Sequence, residues 1–140
     1  MAKRLNSKKK GNRFELEVSK ALTKITGAEW YRVGVSSGAR FTKQGIESFQ
    51  GDILTENLEY KGIIIECKAT KDRISMEDLA NKKSKFWEWI EQVEEESPRK
   101  EWVLIFKANN GKVFFVSKGE NKVTGKLKVL STIEKYTIWY

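Results

Sequence analysis

Three consecutive isoleucines, Ile63 to Ile65, run directly into two charged residues, Glu66 and Lys68. A run of β-branched residues favours a buried β-strand, so the two charged residues are predicted to continue a strand that begins in the protein interior. Because residues two apart on a strand point to the same face, both charges lie on one side of the sheet. An unpaired buried charge is costly, so this pair needs either partners or a function.

Asp52 begins the preceding strand-like segment, and a polar turn over residues 57–61 separates that segment from the isoleucines. A hairpin between the two segments would bring Asp52 beside Glu66. Two carboxylates and an ammonium group at one end of a sheet are what a divalent cation and an activated water require. The Glu-x-Lys spacing alone is a weak signal, and an edge strand with a solvated charged face is the alternative.

Composition narrows the chemistry that such a cluster could perform. The 140 residues include no histidine, which excludes Ser-His triads, histidine general bases and histidine-ligated zinc. Hydrolysis would therefore need carboxylates, lysine, tyrosine or a metal held by oxygen ligands. The formal net charge of +8 favours a polyanionic partner, nucleic acid first and an anionic membrane surface second.

The ends of the chain and its single cysteine bear on location and domain organisation. No run of 18 apolar residues and no apolar N-terminal core occurs, so we expect neither a membrane span nor secretion. Cys67 cannot form an internal disulfide and fits a reducing, cytoplasmic compartment. The basic residues 1–10 predict a flexible arm that either contacts phosphates or is a frayed tail, and residues 11–140 predict a single domain.

The first half of the chain predicts a helix, a strand and a loop. Apolar residues recur at helical spacing over residues 12–26, and Gly27 is a natural stop. Residues 29–35 alternate as a strand. Residues 36–50 show no hydrophobic periodicity and are rich in serine, glycine and basic residues, which predicts a loop. This loop is longer than most connections between secondary-structure elements. We expect this loop to contact phosphates, the alternative being a plain connector.

The second half of the chain predicts one long helix followed by strands. Ser75 is a plausible N-cap for a helix over residues 76–95. Trp87 and Trp89 are about 200° apart around a helix, so one of them is predicted to face a subunit interface or a packing site at the rim. The remaining predicted elements are a central strand at 101–107, a hairpin turn at 109–111 and strands at 112–117 and 136–140. Residues 127–130 predict either a short strand or the start of a helix.

Four groups of residues follow one another along the chain: Lys10-Gly11 with Glu15, Ser36-Ser37-Gly38, Gly51-Asp52-Ile53, and Ile65-Glu66-Cys67-Lys68. Their order resembles the PD-(D/E)xK nuclease core, and the chain looks most like the archaeal-type and phage Holliday junction resolvases. Gly51 stands where the eponymous proline would be. The resemblance covers residues 10–116 and implies an α/β (α+β) fold with a restriction-endonuclease-like core, a central mixed β-sheet flanked by helices.

The resemblance also implies a role for each residue of the cluster. Asp52 and Glu66 would coordinate Mg²⁺ or Mn²⁺, with the backbone carbonyl of Cys67 as a further oxygen ligand. Lys68 would orient the attacking water and stabilise the charge that develops on the phosphate. Glu15 would reach the same metal or a second one from the first helix.

The acid that the first helix supplies to the site could be Glu17 instead of Glu15, because the two lie only two residues apart. The sequence does not choose between them. Acids in the first turns of a helix are also favoured by its dipole, which would explain both without a catalytic role.

The implied activity is that of a Mg²⁺-dependent, structure-selective endodeoxyribonuclease that resolves four-way (Holliday) DNA junctions by paired nicks as a homodimer. The tryptophans and the aromatic C-terminus offer apolar surface that a dimer could bury. The alternatives are a PD-(D/E)xK nuclease with another DNA substrate, restriction-like or nicking, and a non-catalytic DNA-binding module of the same fold. The expected DNA-binding residues are Lys8, Lys9, Lys10, Arg13, Ser36, Ser37, Arg40, Lys43, Lys71 and Arg73.

Overall fold

A seven-stranded sheet with helices on both faces organises the protein. The computed structural model describes residues 2–33, 52–82, 84–97, 100–109 and 111–140, of which residues 2–12 are described as backbone only. The elements in chain order are α1 (Ala2–Thr26), β1 (Tyr31–Arg32), β2 (Ile53–Leu54), β3 (Ile64–Thr70), α2 (Met76–Ala80), α3 (Lys85–Glu96), β4 (Trp102–Ala108), β5 (Val113–Ser117), a 3₁₀ turn (Thr124–Lys126), β6 (Val129–Ile133) and β7 (Tyr136–Trp139).

The sheet is mixed, with the strand order β1-β2-β3-β4-β5-β7-β6. Strands β3 and β4 are parallel, because the α2–α3 segment crosses over between them, and the other neighbouring strands are antiparallel. Parallel neighbours require such a crossover connection. This architecture confirms the predicted α+β class with a restriction-endonuclease-like core.

Alternation along the central strands builds two cores, one on each face of the sheet. Ile65, Val103 and Ile105 are fully buried against α1, together with Phe14, Val18 and Leu22 of that helix. Their neighbours in sequence point the other way and pack against α3. Both faces of β3 and β4 are therefore covered, which explains why their sequences read as continuous apolar runs. The residues that face α3 from these two strands are Ile64, Trp102, Leu104 and Phe106.

Both predicted hairpins form. Strand β2 pairs antiparallel with β3 with Ile53 opposite Ile65, and β4 pairs antiparallel with β5. Asn109 has φ of 50° at the second turn, the left-handed conformation that Asn tolerates better than most residues. No helix in the described residues is long and apolar enough to cross a membrane.

Three predicted boundaries were wrong. Helix α1 begins at Ala2 rather than at residue 12, so the segment expected to be a flexible arm is helical. Lys, Arg and Leu are good helix formers, and helical backbone can continue past the apolar stripe that packs on the sheet. Strand β1 has only two residues instead of the seven predicted at 29–35, of which the last two lie outside the described residues.

The predicted helix over residues 76–95 is two helices, α2 and α3. Ser75 caps α2 through a full capping box with Asp78, while the chain leaves helical geometry at Asn81 and re-enters it after Ser84. Asn and Ser favour such caps because their side chains compete with helical hydrogen bonds. The Trp87 indole nitrogen donates to the Leu79 carbonyl oxygen at 2.7 Å and joins the two helices.

Trp87 and Trp89 are both buried in the same core. The prediction that only one of them faces this core, with the other at a subunit interface or a packing site at the rim, was therefore wrong. Trp87 packs edge-on against Tyr136 of β7 with ring centroids 5.8 Å apart. Trp89 instead meets Phe106 of β4 at 5.9 Å. Because β4 and β7 belong to the same sheet, one sheet face covers both rings.

Candidate active site

Strand β3 presents Glu66 and Lys68 toward α3. Both share the strand face of Ile64, which packs in the core under that helix. Leu104 of β4 lies opposite Glu66 in the parallel pair, so the floor beside the carboxylate is apolar. The Lys68 ammonium group donates a hydrogen bond to the Gln92 amide oxygen of α3 at 3.1 Å.

Asp52 is held in place by hydrogen bonds to two strands. Its backbone N–H donates to the Ile65 carbonyl at 2.8 Å, and its carbonyl accepts from the Val33 N–H at 3.0 Å. Its carboxylate oxygen Oδ2 accepts from the Cys67 N–H at 2.8 Å. The side chain therefore continues the β2–β3 ladder by one bond beyond the strand, directly beside Glu66.

The carboxyl groups of Asp52 and Glu66 lie close enough together to interact. Burial is the largest cause that raises the pKa of Glu66, the neighbouring Asp52 carboxyl adds to the rise, and Glu96 acts in the same direction. Lys68 opposes these effects, and together they bring the pKa of Glu66 to about 8. Two carboxylates so placed cannot both ionise cheaply, so a proton, or a cation in its place, is favoured between them.

Glu15, rather than Glu17, lies close to this carboxylate pair. Burial and the charge of Asp52 raise the pKa of Glu15, and the Arg32 guanidinium opposes the rise from 3.4 Å away. Glu17 is half exposed and pairs with Lys107 of β4 at 3.4 Å. Of the two acids that the sequence left open, Glu15 lies within electrostatic range of Asp52, and Glu17 is paired with Lys107.

The Cys67 side chain points to the opposite face from Glu66, where it packs at the border of the α1 core. Burial raises the pKa of its thiol well above the usual range, and the charges of Asp52, Glu15 and Glu66 add to the rise. The thiol lies on the other side of the strand from the Glu66 carboxylate. The oxygen donor that Cys67 could offer a hard cation is its backbone carbonyl.

The donor set fits a hard divalent cation in its chemistry. Within the described residues, no group of three or more acidic, cysteine or histidine side chains is already arranged as a metal site. Asp52 and Glu66 nevertheless supply two oxygen donors that repel each other when ionised, and Glu15 adds a third carboxylate within electrostatic range. Oxygen ligands of this kind suit Mg²⁺ or Mn²⁺.

The expected DNA-binding residues fall into three groups. Lys71 and Arg73 are exposed just after β3, and Arg13 is exposed on α1. Residues 8–10 belong to the backbone of α1, but their side chains lie outside the described part of the chain. Ser36, Ser37, Arg40 and Lys43 fall in the segment that the structure does not describe.

Three residues near the carboxylate pair were not recognised from the sequence. Arg32 pairs with Glu15, Gln92 accepts from Lys68, and the charge of Glu96 acts on Glu66. Gln92 and Glu96 are four residues apart and share a helix face, which the sequence could have shown. Nothing in the sequence indicated that this face would meet β3, and the acidic residues 94–96 looked like a solvated helix end.

Comparison with known proteins gives one match. A family model described as "Phage putative PDDEXK endonuclease" matches residues 6–139. The match includes the C-terminal strands, which the resemblance read from the sequence did not cover. Neither a search of curated proteins nor a search of solved structures returns a match. Because the family model spans almost the whole chain, the protein belongs to this phage PDDEXK endonuclease family and thereby to the PD-(D/E)xK nuclease superfamily.

Proposed function

We propose that the protein is a divalent-metal-dependent DNA endonuclease that resolves four-way junctions by paired nicks. The observation that carries the nuclease chemistry is the placement of the Asp52 carboxylate, which accepts from the Cys67 N–H at 2.8 Å, next to Glu66, with Lys68 on the same strand face as Glu66. A half-buried pair of neighbouring acids is an expensive arrangement that a bound cation would stabilise.

Each side chain of the site has a defined task in this proposal. Asp52 and Glu66 hold Mg²⁺ or Mn²⁺, the Cys67 carbonyl adds a ligand, and Glu15 approaches from α1. PD-(D/E)xK nucleases generally use Mg²⁺. When bound, such an ion lowers the pKa of water and neutralises phosphate charge, so no histidine is needed. Lys68 places a positive charge where the phosphate becomes more negative and orients the attacking water.

The choice of a branched DNA substrate rests on charge and on the resemblance to junction resolvases. The net charge of +8 suits a nucleic acid backbone, which is contacted through its phosphates whatever the base sequence. Recognition would then depend on shape, read through phosphates by exposed residues such as Arg13, Lys71 and Arg73. A homodimer would place two such sites on the two symmetric strands of a junction.

Of the two surfaces expected from the sequence for the dimer, the tryptophans are not available and the C-terminus is available only in part. All five tryptophans are buried within one chain. Among the described residues, the exposed apolar side chains at the sheet edge are Val129 and Leu130 of β6 and the C-terminal Tyr140. These residues are the apolar surface that the proposed dimer would have available at that edge.

One assay separates this proposal from its alternatives. Purified protein is incubated with a labelled four-way junction, a linear duplex and a single strand, with and without Mg²⁺, beside the Asp52→Asn variant. Paired nicks confined to the junction and lost in Asp52→Asn are expected. Equal cutting of the linear duplex would indicate a nuclease with another substrate, and binding without any cutting would indicate a non-catalytic DNA-binding module.

Lys68→Ala is expected to retain junction binding and lose cleavage, because the ammonium acts on the reacting phosphate rather than on the DNA backbone elsewhere. Binding is measured by fluorescence anisotropy and cleavage under single-turnover conditions. A parallel loss of binding and cleavage would instead make Lys68 a phosphate contact.

A further inference from the structure

The side-chain amide of Gln92 lies between Lys68 and Glu96. Its oxygen Oε1 accepts from the Lys68 Nζ at 3.1 Å, and its nitrogen Nε2 donates to the Glu96 Oε1 at 3.2 Å. Gln92 and Glu96 are one helical turn apart on α3, while Lys68 comes from β3. The three side chains thus form a chain of hydrogen bonds from the helix to the strand.

The direction of the Gln92 amide follows from its two neighbours. An ionised carboxylate only accepts hydrogen bonds and an ammonium group only donates them. The NH₂ end of Gln92 must therefore face Glu96, which leaves the carbonyl oxygen for Lys68. If the amide were reversed, both contacts would be lost, because donor would face donor and acceptor would face acceptor.

We propose that Gln92, oriented by Glu96, is the positioning residue that holds the Lys68 ammonium group at the nuclease site. This inference rests on the proposed catalytic role of Lys68. A lysine side chain has many accessible rotamers, so an acceptor that fixes its ammonium group makes a productive position more populated. A neutral amide does this without neutralising the positive charge, which stays available for the phosphate.

The alternative is that Gln92 touches the DNA itself, since its side chain is exposed. A DNA contact and a positioning contact differ in what their loss changes. Removing a DNA contact weakens binding, whereas removing a positioning contact slows the chemical step with binding unchanged.

The test measures junction Kd and single-turnover cleavage rate for Gln92→Met, which keeps the side-chain length and removes the acceptor. A roughly tenfold slower rate with an unchanged Kd is expected, in the range seen when an outer partner of a site residue is lost. Glu95→Ala, at an exposed position on the same helix, is the control and should cleave normally. An unchanged rate in Gln92→Met, or a rate loss matched by a Kd loss, would overturn the proposal.

Glu96 is tested by two substitutions, each made in the wild-type protein and in Gln92→Met. Glu96→Gln and Glu96→Met both remove the charge that acts on Glu66, but only Glu96→Gln keeps an oxygen that can accept from Gln92, so Glu96→Gln should cleave faster than Glu96→Met. In the Gln92→Met background the two substitutions should give equal rates, because the hydrogen bond that distinguishes them needs the Gln92 amide. If Glu96→Gln is as slow as Glu96→Met, the charge of Glu96 matters rather than its hydrogen bond to Gln92. The proposal that Glu96 orients Gln92 would then be wrong.

A readout without DNA keeps this inference separate from the nuclease proposal. Acylation of lysines by an amine-reactive reagent, followed by mass spectrometry, should modify Lys68 faster in Gln92→Met than in the wild-type protein. The exposed Lys61 serves as an internal reference. If the wild-type protein cuts no DNA while Lys68 reactivity rises, the nuclease proposal fails and the Gln92 contact stands. Unchanged Lys68 reactivity would refute the contact whatever the nuclease activity.

Discussion

The stability of the metal-free protein should fall as pH rises, because of Glu66. Its pKa in the folded state is about 8, against an ordinary value of 4.5 that applies to the unfolded chain. Between these values the folded protein binds a proton that the unfolded chain does not. Stability therefore decreases with rising pH across this interval and levels off above it. The charged or titratable groups that face Glu66 are Asp52, Glu96 and Lys68.

The size of the effect can be bounded from the same numbers. A pKa difference of one unit corresponds to about 1.4 kcal/mol. The whole difference between the folded and unfolded pKa of Glu66 would therefore change the free energy of unfolding by roughly 5 kcal/mol. Glu66 retains some contact with solvent, which screens part of this energy. We expect a change of about 2 kcal/mol in the free energy of unfolding between pH 5 and pH 8 that belongs to Glu66 alone.

The assay compares urea unfolding of the wild-type protein and Glu66→Gln at pH 5, 6, 7 and 8 in the presence of a chelator. The difference between the two proteins isolates Glu66 from the other titrating groups, and the variant should gain relative stability toward pH 8. Asp52→Asn should show a shallower dependence than the wild type, though not a flat one, because burial is the largest cause. Parallel pH curves for the wild type and Glu66→Gln would refute the reasoning.

Three further predictions follow from individual contacts. Glu15→Gln should reduce cleavage while Glu17→Gln should not, because Glu15 lies within electrostatic range of Asp52 whereas Glu17 pairs with Lys107; equal rates for the two variants would contradict this assignment. Phe86→Ala should lower the free energy of unfolding by about 3–5 kcal/mol in urea titrations, since this fully buried ring packs on Trp87 and Phe106, and a loss below about 1 kcal/mol would show that the core under α3 is not packed as described. Tyr136→Phe should cost about 1 kcal/mol in the same titrations through loss of the 2.8 Å bond to Glu94, and no cost would mean that Lys118 alone satisfies that carboxylate.

The sequence predicted the sheet well where patterns are local. The isoleucine run, the Asn109 turn and the continuous apolar strand β4 each depend on neighbouring residues, and all three appear in the structure. Contacts between segments that are remote in the sequence were harder to predict. The pairing of Arg32 with Glu15 and of Gln92 with Lys68 joins elements 17 and 24 residues apart, and no periodicity within either element encodes it.

Some predictions were wrong because the sequence contains two competing signals and does not show which of them is stronger. The break between α2 and α3 uses Asn81 and Ser84, which are ordinary cap residues, yet the apolar spacing on either side favours one continuous helix. Trp87 and Trp89 are both buried because Trp87 packs on Tyr136 of β7 while Trp89 packs on Phe106 of β4, two strands of the same sheet. Strand β7 lies some 40 residues further along the chain, and a helical wheel contains no information on contacts at that separation.

The position of the site follows from where the β2–β3 ladder stops. Ile53 and Ile65 form the pair that the two strands share, and the next strand donor, the Cys67 N–H, is taken by the carboxylate of Asp52 instead of a backbone carbonyl. A side chain thus replaces the neighbouring strand, and the sheet ends in a negative charge rather than in a bare edge. Side chains from both faces can meet around this point, Glu15 from the α1 side and Glu66 from the α3 side. The short β2 strand is therefore what allows acids from opposite sides of a sheet to share one location.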